Sequence, residues 1–133
     1  MLTIEDGDLK ITSDASVDGL MRLDLYGKSN ARNPGAILLP YFESVLSVCV
    51  DQARHLVLHF EHIEHFNSST ITAIVQLVRL ARSRSIHLQL IYNSSLHWQR
   101  ASFEALNVLA GDDSALEIIG IAQEEPTHAP GHI

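Results

Sequence analysis

Between residues 36 and 121, three segments with helical apolar spacing alternate with three short β-prone runs, and this alternation restricts the chain more than any other feature. The first helical segment, AILLPYFESVLSVCVDQA, places Ile37, Tyr41, Val45 and Val48 on one face, with Leu38, Phe42, Leu46 and Cys49 beside them. Pro40 interrupts it, and a helix is expected over residues 41 to 52 whether the chain kinks or starts there. HLVLHF (55–60) is short and apolar, as a central strand is. ITAIVQLVRLARS then carries Ile71, Ile74, Val75, Val78 and Ala81 in a helical stripe, with Gln76, Arg79 and Arg82 away from it. IHLQLIY (86–92) alternates Ile86, Leu88, Leu90 and Tyr92 against His87 and Gln89. SLHWQRASFEALNVLAG puts Trp98, Ala101, Ser102, Ala105 and Leu109 on one side and stops at Gly111, and ALEIIGI supplies a last strand.

Upstream, residues 2 to 27 read as extended structure broken by the turn sequences EDGD and SVDG, and KSNARNPG reads as a loop. Asn33 is placed to cap the first helix, with Pro34 at its first position, where a missing N–H costs nothing. The expected order is β-β-α-β-α-β-α-β, an α/β fold in which helices cover a mixed β-sheet. With 133 residues the chain suits one domain, drawn over residues 1–121, and QEEPTHAPGHI completes residues 122–133 as a flexible C-terminal tail.

Composition excludes several function classes. The formal net charge is −7 and the nine Lys and Arg residues are scattered, which argues against nucleic acid or an anionic membrane as the main partner. A single cysteine, Cys49, rules out a disulfide framework and reads as a small core residue. The acidic N-terminus lacks the order of a signal peptide, and no apolar run nears the roughly 20 residues that span a bilayer. A soluble, cytoplasmic protein is expected.

Catalytic motifs are weak. Gly27-Lys28-Ser29 matches the end of a phosphate-binding loop, but that motif needs a glycine where Arg22 stands. HFEHIEH gathers His59, His62 and His65 around Glu61 and Glu64; on a strand His59 and His62 face opposite ways, so a polar strand exit explains them better than zinc. No G-x-S-x-G flanks a candidate nucleophile. The chain is therefore read as a non-enzyme with no catalytic residue, no metal site and no cofactor.

One stretch remains, HFNSSTITAIV. Asn67, Ser68 and Ser69 are all good helix caps, yet a cap needs one such side chain, and no Glu or Gln stands three residues on to complete a reciprocal box. On the residues alone, a bare cap and a functional hydroxyl are equally open. A strand followed by NSSTITAIVQLVRLARSRSIHLQLI resembles the core of STAS-type domains, the fold of bacterial anti-sigma-factor antagonists. In those proteins a strand ends in Asp-Ser-Ser/Thr-Gly, a helix starts at once, and the serine after the aspartate is phosphorylated. The corresponding residues here are Asn67, Ser68, Ser69 and Thr70, so the Asp and the Gly are both replaced.

The SiaC-like branch of STAS-like phosphoproteins, which control biofilm formation, is more similar. It uses Asn-Thr-Ser-Ser followed by an apolar residue, and a preceding loop of which GKSNARNPG keeps Gly27, Ser29 and Asn33 but has Ala31-Arg32 in the Pro-Glu places. The resemblance covers roughly residues 9 to 119. It implies a single STAS-like domain acting as a binding switch. A partner histidine-kinase-like Ser/Thr kinase would phosphorylate Ser68, with Ser69 and Thr70 as second choices, and a PP2C-type phosphatase would reset it. The effector it implies is a diguanylate cyclase or an anti-sigma factor, bound through Asn67, Ser68, Ser69, Thr70, Ser29 and Asn33. The alternative is a nucleotide- or lipid-sensing module that uses the helix N-terminus beside Ser68.

Overall fold

The structure, a computed structural model, describes residues 3–110 and 115–122. Its elements run β1 (Ile4–Asp6), β2 (Leu9–Asp14), β3 (Leu20–Ser29), α1 (Gly35–Gln52), β4 (His55–His59), β5 (Ile63–Phe66), α2 (Ser68–Ser83), β6 (Leu88–Asn93), α3 (His97–Ala110) and β7 (Leu116–Ile121). The α/β class and helix-covered mixed sheet are as expected, with two short strands, β1 and β5, added to the expected order. Gly111 and residues 123–133, where the helix stop and most of the tail were placed, lie outside the described residues.

The strands form one sheet in the order β1-β2-β3-β4-β6-β7, with β5 also paired to β3. β1, β2 and β3 are antiparallel, and β3, β4, β6 and β7 are parallel. Because the parallel strands advance in one direction, right-handed crossovers put all three helices on the same face. That face carries Leu9, Ile11, Met21, Leu23, Leu25, Leu56, Leu58, Leu88 and Leu90, all buried. Opposite it lies a polar face, where Arg22 pairs with Asp24 at 2.9 Å and Glu117 accepts from Gln89 at 2.8 Å.

α1 runs unbroken through Pro40 and buries Leu38, Tyr41, Phe42, Val45, Leu46 and Cys49. Its start differs from the expected cap: Pro34 occupies the cap position, no side chain caps the helix, and Asn33 is exposed. Burial pushes the Cys49 thiol up to about 11, which keeps it protonated within the core. The Gly27-Lys28-Ser29 stretch is the end of β3 and not a loop. Gly27 has φ +86°, and a Cβ there would overlap the Asp8 carbonyl oxygen, so the glycine serves a close backbone approach.

The feature that positions everything at the top of the sheet is a break between β4 and β5. The lower part of β3, Leu20–Asp24, pairs with β4; its upper part, Gly27–Ser29, pairs with β5. Between the two, Phe60–His62 turn aside, and the turn is closed by the Ile63 N–H, which donates to Phe60 O at 3.0 Å. Gln99, fully buried on α3, braces the turn with side-chain donors: its Nε2 donates to Phe60 O at 2.8 Å and Ile63 O at 3.1 Å. Its Oε1 accepts the Asn93 N–H at 2.8 Å.

This changes the buried face of α3, which is Gln99, Phe103 and Leu106 instead of the expected Ala101, Ala105 set; Trp98 and Ser102 are half-buried at its border. The side chain of Leu109 is outside the described set. Phe103 packs against Phe60, Phe66 and Tyr92 at centroid distances of 4.9, 5.9 and 4.9 Å, an aromatic floor beneath the break.

Replacing Gln99 by Leu keeps the volume but takes the side-chain donor from Phe60 O and Ile63 O and the acceptor from the Asn93 N–H, while Phe60 O keeps the Ile63 N–H. We expect a loss of about 3 kcal/mol in urea unfolding, given roughly 1–3 kcal/mol for each unsatisfied buried group and partial relaxation.

Candidate functional site

β5 delivers the chain to the end of β3, and the Asn67 N–H donates to Ser29 O at 3.1 Å. α2 begins immediately afterwards. Asn67 is its N-cap, in extended conformation, and its Oδ1 accepts the Thr70 N–H at 2.9 Å. The same oxygen accepts the Thr70 hydroxyl at 2.8 Å, and Asn67 Nδ2 donates to Ala31 O at 2.9 Å. With the Thr70 proton directed to Asn67, the Ser29 hydroxyl, 2.7 Å away, donates to Thr70 Oγ1. A relay thus runs from Ser29 through Thr70 and Asn67 to Ala31, tying β3, α2 and the loop before α1 together.

The four polar residues divide into two pairs. Thr70 and Ser29 are each 3% exposed, whereas Ser68 and Ser69 are exposed on the first turn of α2. Thr70 was expected, with Ser69, as a second-choice acceptor and, with Ser29, as a partner contact. Both hydroxyls are buried within the relay, away from the exposed surface that Ser68 and Ser69 present. Ser68 and Ser69 stand where free helix N–H groups and the positive end of the helix favour an anion.

Asn33 does meet this group from the other side. With Ser69 it forms the mouth of a groove of about 490 Å³ between α1 and α2, whose walls include Gly35, Ala36, Leu39 and Ala73. Sequence patterning misses the groove because small residues on two neighbouring helices show no periodic signal of their own. It also misses Gln99 and the Ala31 carbonyl. A polar side chain reads as solvent-facing, and a backbone acceptor has no sequence signature.

The histidines do not converge. His59 lies 3.0 Å from Glu61, His62 stacks on Tyr26 at 5.3 Å, and His65 faces Trp98 at 6.3 Å. Residues 60–62 form the strand-break turn, so the segment is neither one strand nor one helix. Among the described residues no group of three His, Cys, Asp or Glu is placed to hold a metal, and no helix is long and apolar enough to cross a membrane.

The relay predicts unequal costs across the motif. Thr70→Val removes the central hydroxyl and should cost about 1–3 kcal/mol in chemical denaturation. Ser68→Ala should stay within about 0.5 kcal/mol of the parent, as an exposed position does.

No family model and no curated protein matches the sequence. Among solved structures, it is similar to SiaC in the crystal structure of the diguanylate cyclase SiaD in complex with its activator SiaC from Pseudomonas aeruginosa. The identity is 19%, the match covers 91% of this chain and 100% of that one, and the TM-score is 0.64. It also resembles an uncharacterized protein of the DUF3478 family from Shewanella loihica PV-4, which has a SpoIIAA-like fold. Here the identity is 11%, the coverage 89% and 90%, and the TM-score 0.50. The sheet order and the helices on one face are therefore those of the STAS-like, SpoIIAA-like fold, in the form that SiaC also takes.

Proposed function

We propose that this chain is a regulatory phosphoprotein that binds an effector protein through the surface around the start of α2 and releases it on phosphorylation. The observation that carries this reading is the split within Asn67-Ser68-Ser69-Thr70: two residues lock the corner and two hydroxyls are presented on it. A cap alone requires no such presentation. Ser68 is the acceptor we assign first and Ser69 second. The modifying enzyme is a histidine-kinase-like Ser/Thr kinase, reversal is by a PP2C-type phosphatase, and the compartment is the cytoplasm. The fold likeness to a chain described as the activator of a diguanylate cyclase makes such a cyclase the first effector class to test, ahead of an anti-sigma factor.

The chemistry fits a surface switch. A phosphate on Ser68 adds about −1.5 to −2 charges at a helix N-terminus that tolerates them, so the domain stays folded while its surface changes. A partner that packs over the uncharged serine would have to desolvate a dianion, and it dissociates.

Capture of the effector from native cells on immobilised Ser68→Ala and Ser68→Asp proteins tests the proposal. The Ala form should retain a cyclase or anti-sigma factor that the Asp form loses by about tenfold or more. Equal retention by both would sink the switch. Intact-mass measurement of native protein should show one added phosphate, localised to Ser68 or Ser69.

The groove between α1 and α2 supports a second reading, a small-molecule sensor, because it opens beside Ser69 and its size suits a compact ligand. Equilibrium dialysis with GTP, ATP and acyl ligands decides it; no retention of any of them removes this reading.

A further inference from the structure

Basic residues are scattered through the sequence, but acidic ones are not. From His65 to Phe103 there is no Asp or Glu, while Arg79, Arg82, Arg84 and Arg100 all fall inside. With nine Lys and Arg and sixteen Asp and Glu in the whole chain, the rest holds five basic and sixteen acidic residues. The block is therefore +4 and the remainder −11. Folding gathers this asymmetry on one element: α2 carries no acid at all, and Arg79 and Arg82 are exposed on it.

The arginines continue the candidate site. On α2 the groove is lined by Ser69, Thr72, Ala73 and Gln76, positions spaced three and four apart along one face. Arg79, three residues beyond Gln76, lies at the outer edge of that face. At the far end Arg84 reaches Glu43 of α1 at 3.5 Å, a loose bridge between the two helices. The outer side of α2 from Ser69 thus begins with neutral hydroxyl and amide side chains beside an apolar groove and ends at the exposed residues Arg79 and, further round the helix, Arg82.

We infer that the outer face of α2, with the groove beside it, docks a partner-protein segment rich in Asp and Glu, whose carboxylates meet Arg79 and Arg82 while small apolar side chains enter the groove. This deepens the proposed function and rests on it for the partner's identity, though not for the charge preference. The argument for this occupant is complementarity. In an otherwise acidic protein the acid-free α2 repels an acidic segment least, so its arginines bias where and in which direction the segment lies.

The probe is poly-L-glutamate, titrated into the isotopically labelled full chain at low salt and followed by amide chemical shifts, with poly-L-lysine and a short single-stranded DNA as controls. Poly-glutamate should perturb α2 and the groove walls at Ala36 and Thr72. Arg79→Gln/Arg82→Gln, both exposed and expected to fold normally, should weaken it by about tenfold, as should raising the salt. No binding, shifts on another face, an unchanged affinity in the double variant, or preference for the DNA would overturn the inference. Ser68→Asp retaining its effector, by contrast, defeats only the switch. Concentration-dependent self-association abolished by the same arginine changes would instead make the occupant a second copy of this chain, and would also overturn the inference.

Discussion

The donation of the Gln99 side-chain amide to the carbonyls of Phe60 and Ile63 is the interaction on which the top of this domain depends. Of β3, β4 pairs only with the lower part, Leu20–Asp24. The break lets β5 return to β3 and place Asn67 beside Ser29, and only then can α2 start on a fixed corner. Such a break is costly in a core, because turned-aside peptide groups lose their ladder partners where water cannot replace them. One buried amide offsets that cost with three hydrogen bonds, and the ring of Phe103, one turn further along α3, fills the space below. The site therefore depends on a helix far from it in sequence.

That distance explains what was legible in the sequence and what was not. The elements defined by periodicity were: the helix over 41–52, the strand at 55–59 and the helix after Asn67 each follow from apolar spacing across a single face. The rotation of α3 was not. Trp98 is large and apolar and Gln99 is polar, so spacing favours a face centred on Trp98, while the structure turns Gln99 fully inward. Only the strand break makes a glutamine the right core residue there, and four residues between two apolar runs do not announce that they will pair. Asn33 failed as a cap for a related reason: Pro34, buried against the core, takes the cap position itself, and Asn33 is left to line the groove.

Within the site, the resemblance located the motif and physical chemistry divided it. Four small polar residues in a row read alike, but hydrogen-bond capacity separates them. Thr70 sits on the third helical position, facing β3, where its hydroxyl both accepts and donates. Its β-methyl is in the core, a place where the glycine of the more common motif would leave space. The asparagine at the cap is also suited to its position, since its amide reaches Ala31 while its oxygen takes two donors from Thr70. An aspartate could keep the second role but not the first. Replacing Asp and Gly together thus yields a corner held by neutral hydrogen bonds, with no carboxylate beside the exposed serines.

The placement of charge along α2 bears on how a modification there would act. From Ser68 to Arg79 is eleven residues and to Arg82 fourteen, about 16 and 21 Å along the helix axis at roughly 1.5 Å per residue. Both exceed the Debye length of about 8 Å at physiological salt, so a phosphate on Ser68 is not neutralised by these arginines, nor does it cancel their field for a bound partner. The two ends of the helix then contribute nearly independently to a docked segment, as well-separated sites do. In the proposed switch the basic end would set which segment is attracted and in what direction, and the serine end whether it can be seated. A switch of the proposed kind would change affinity through local packing and desolvation at the α2 N-terminus, and a released partner would still experience the attraction toward the arginines.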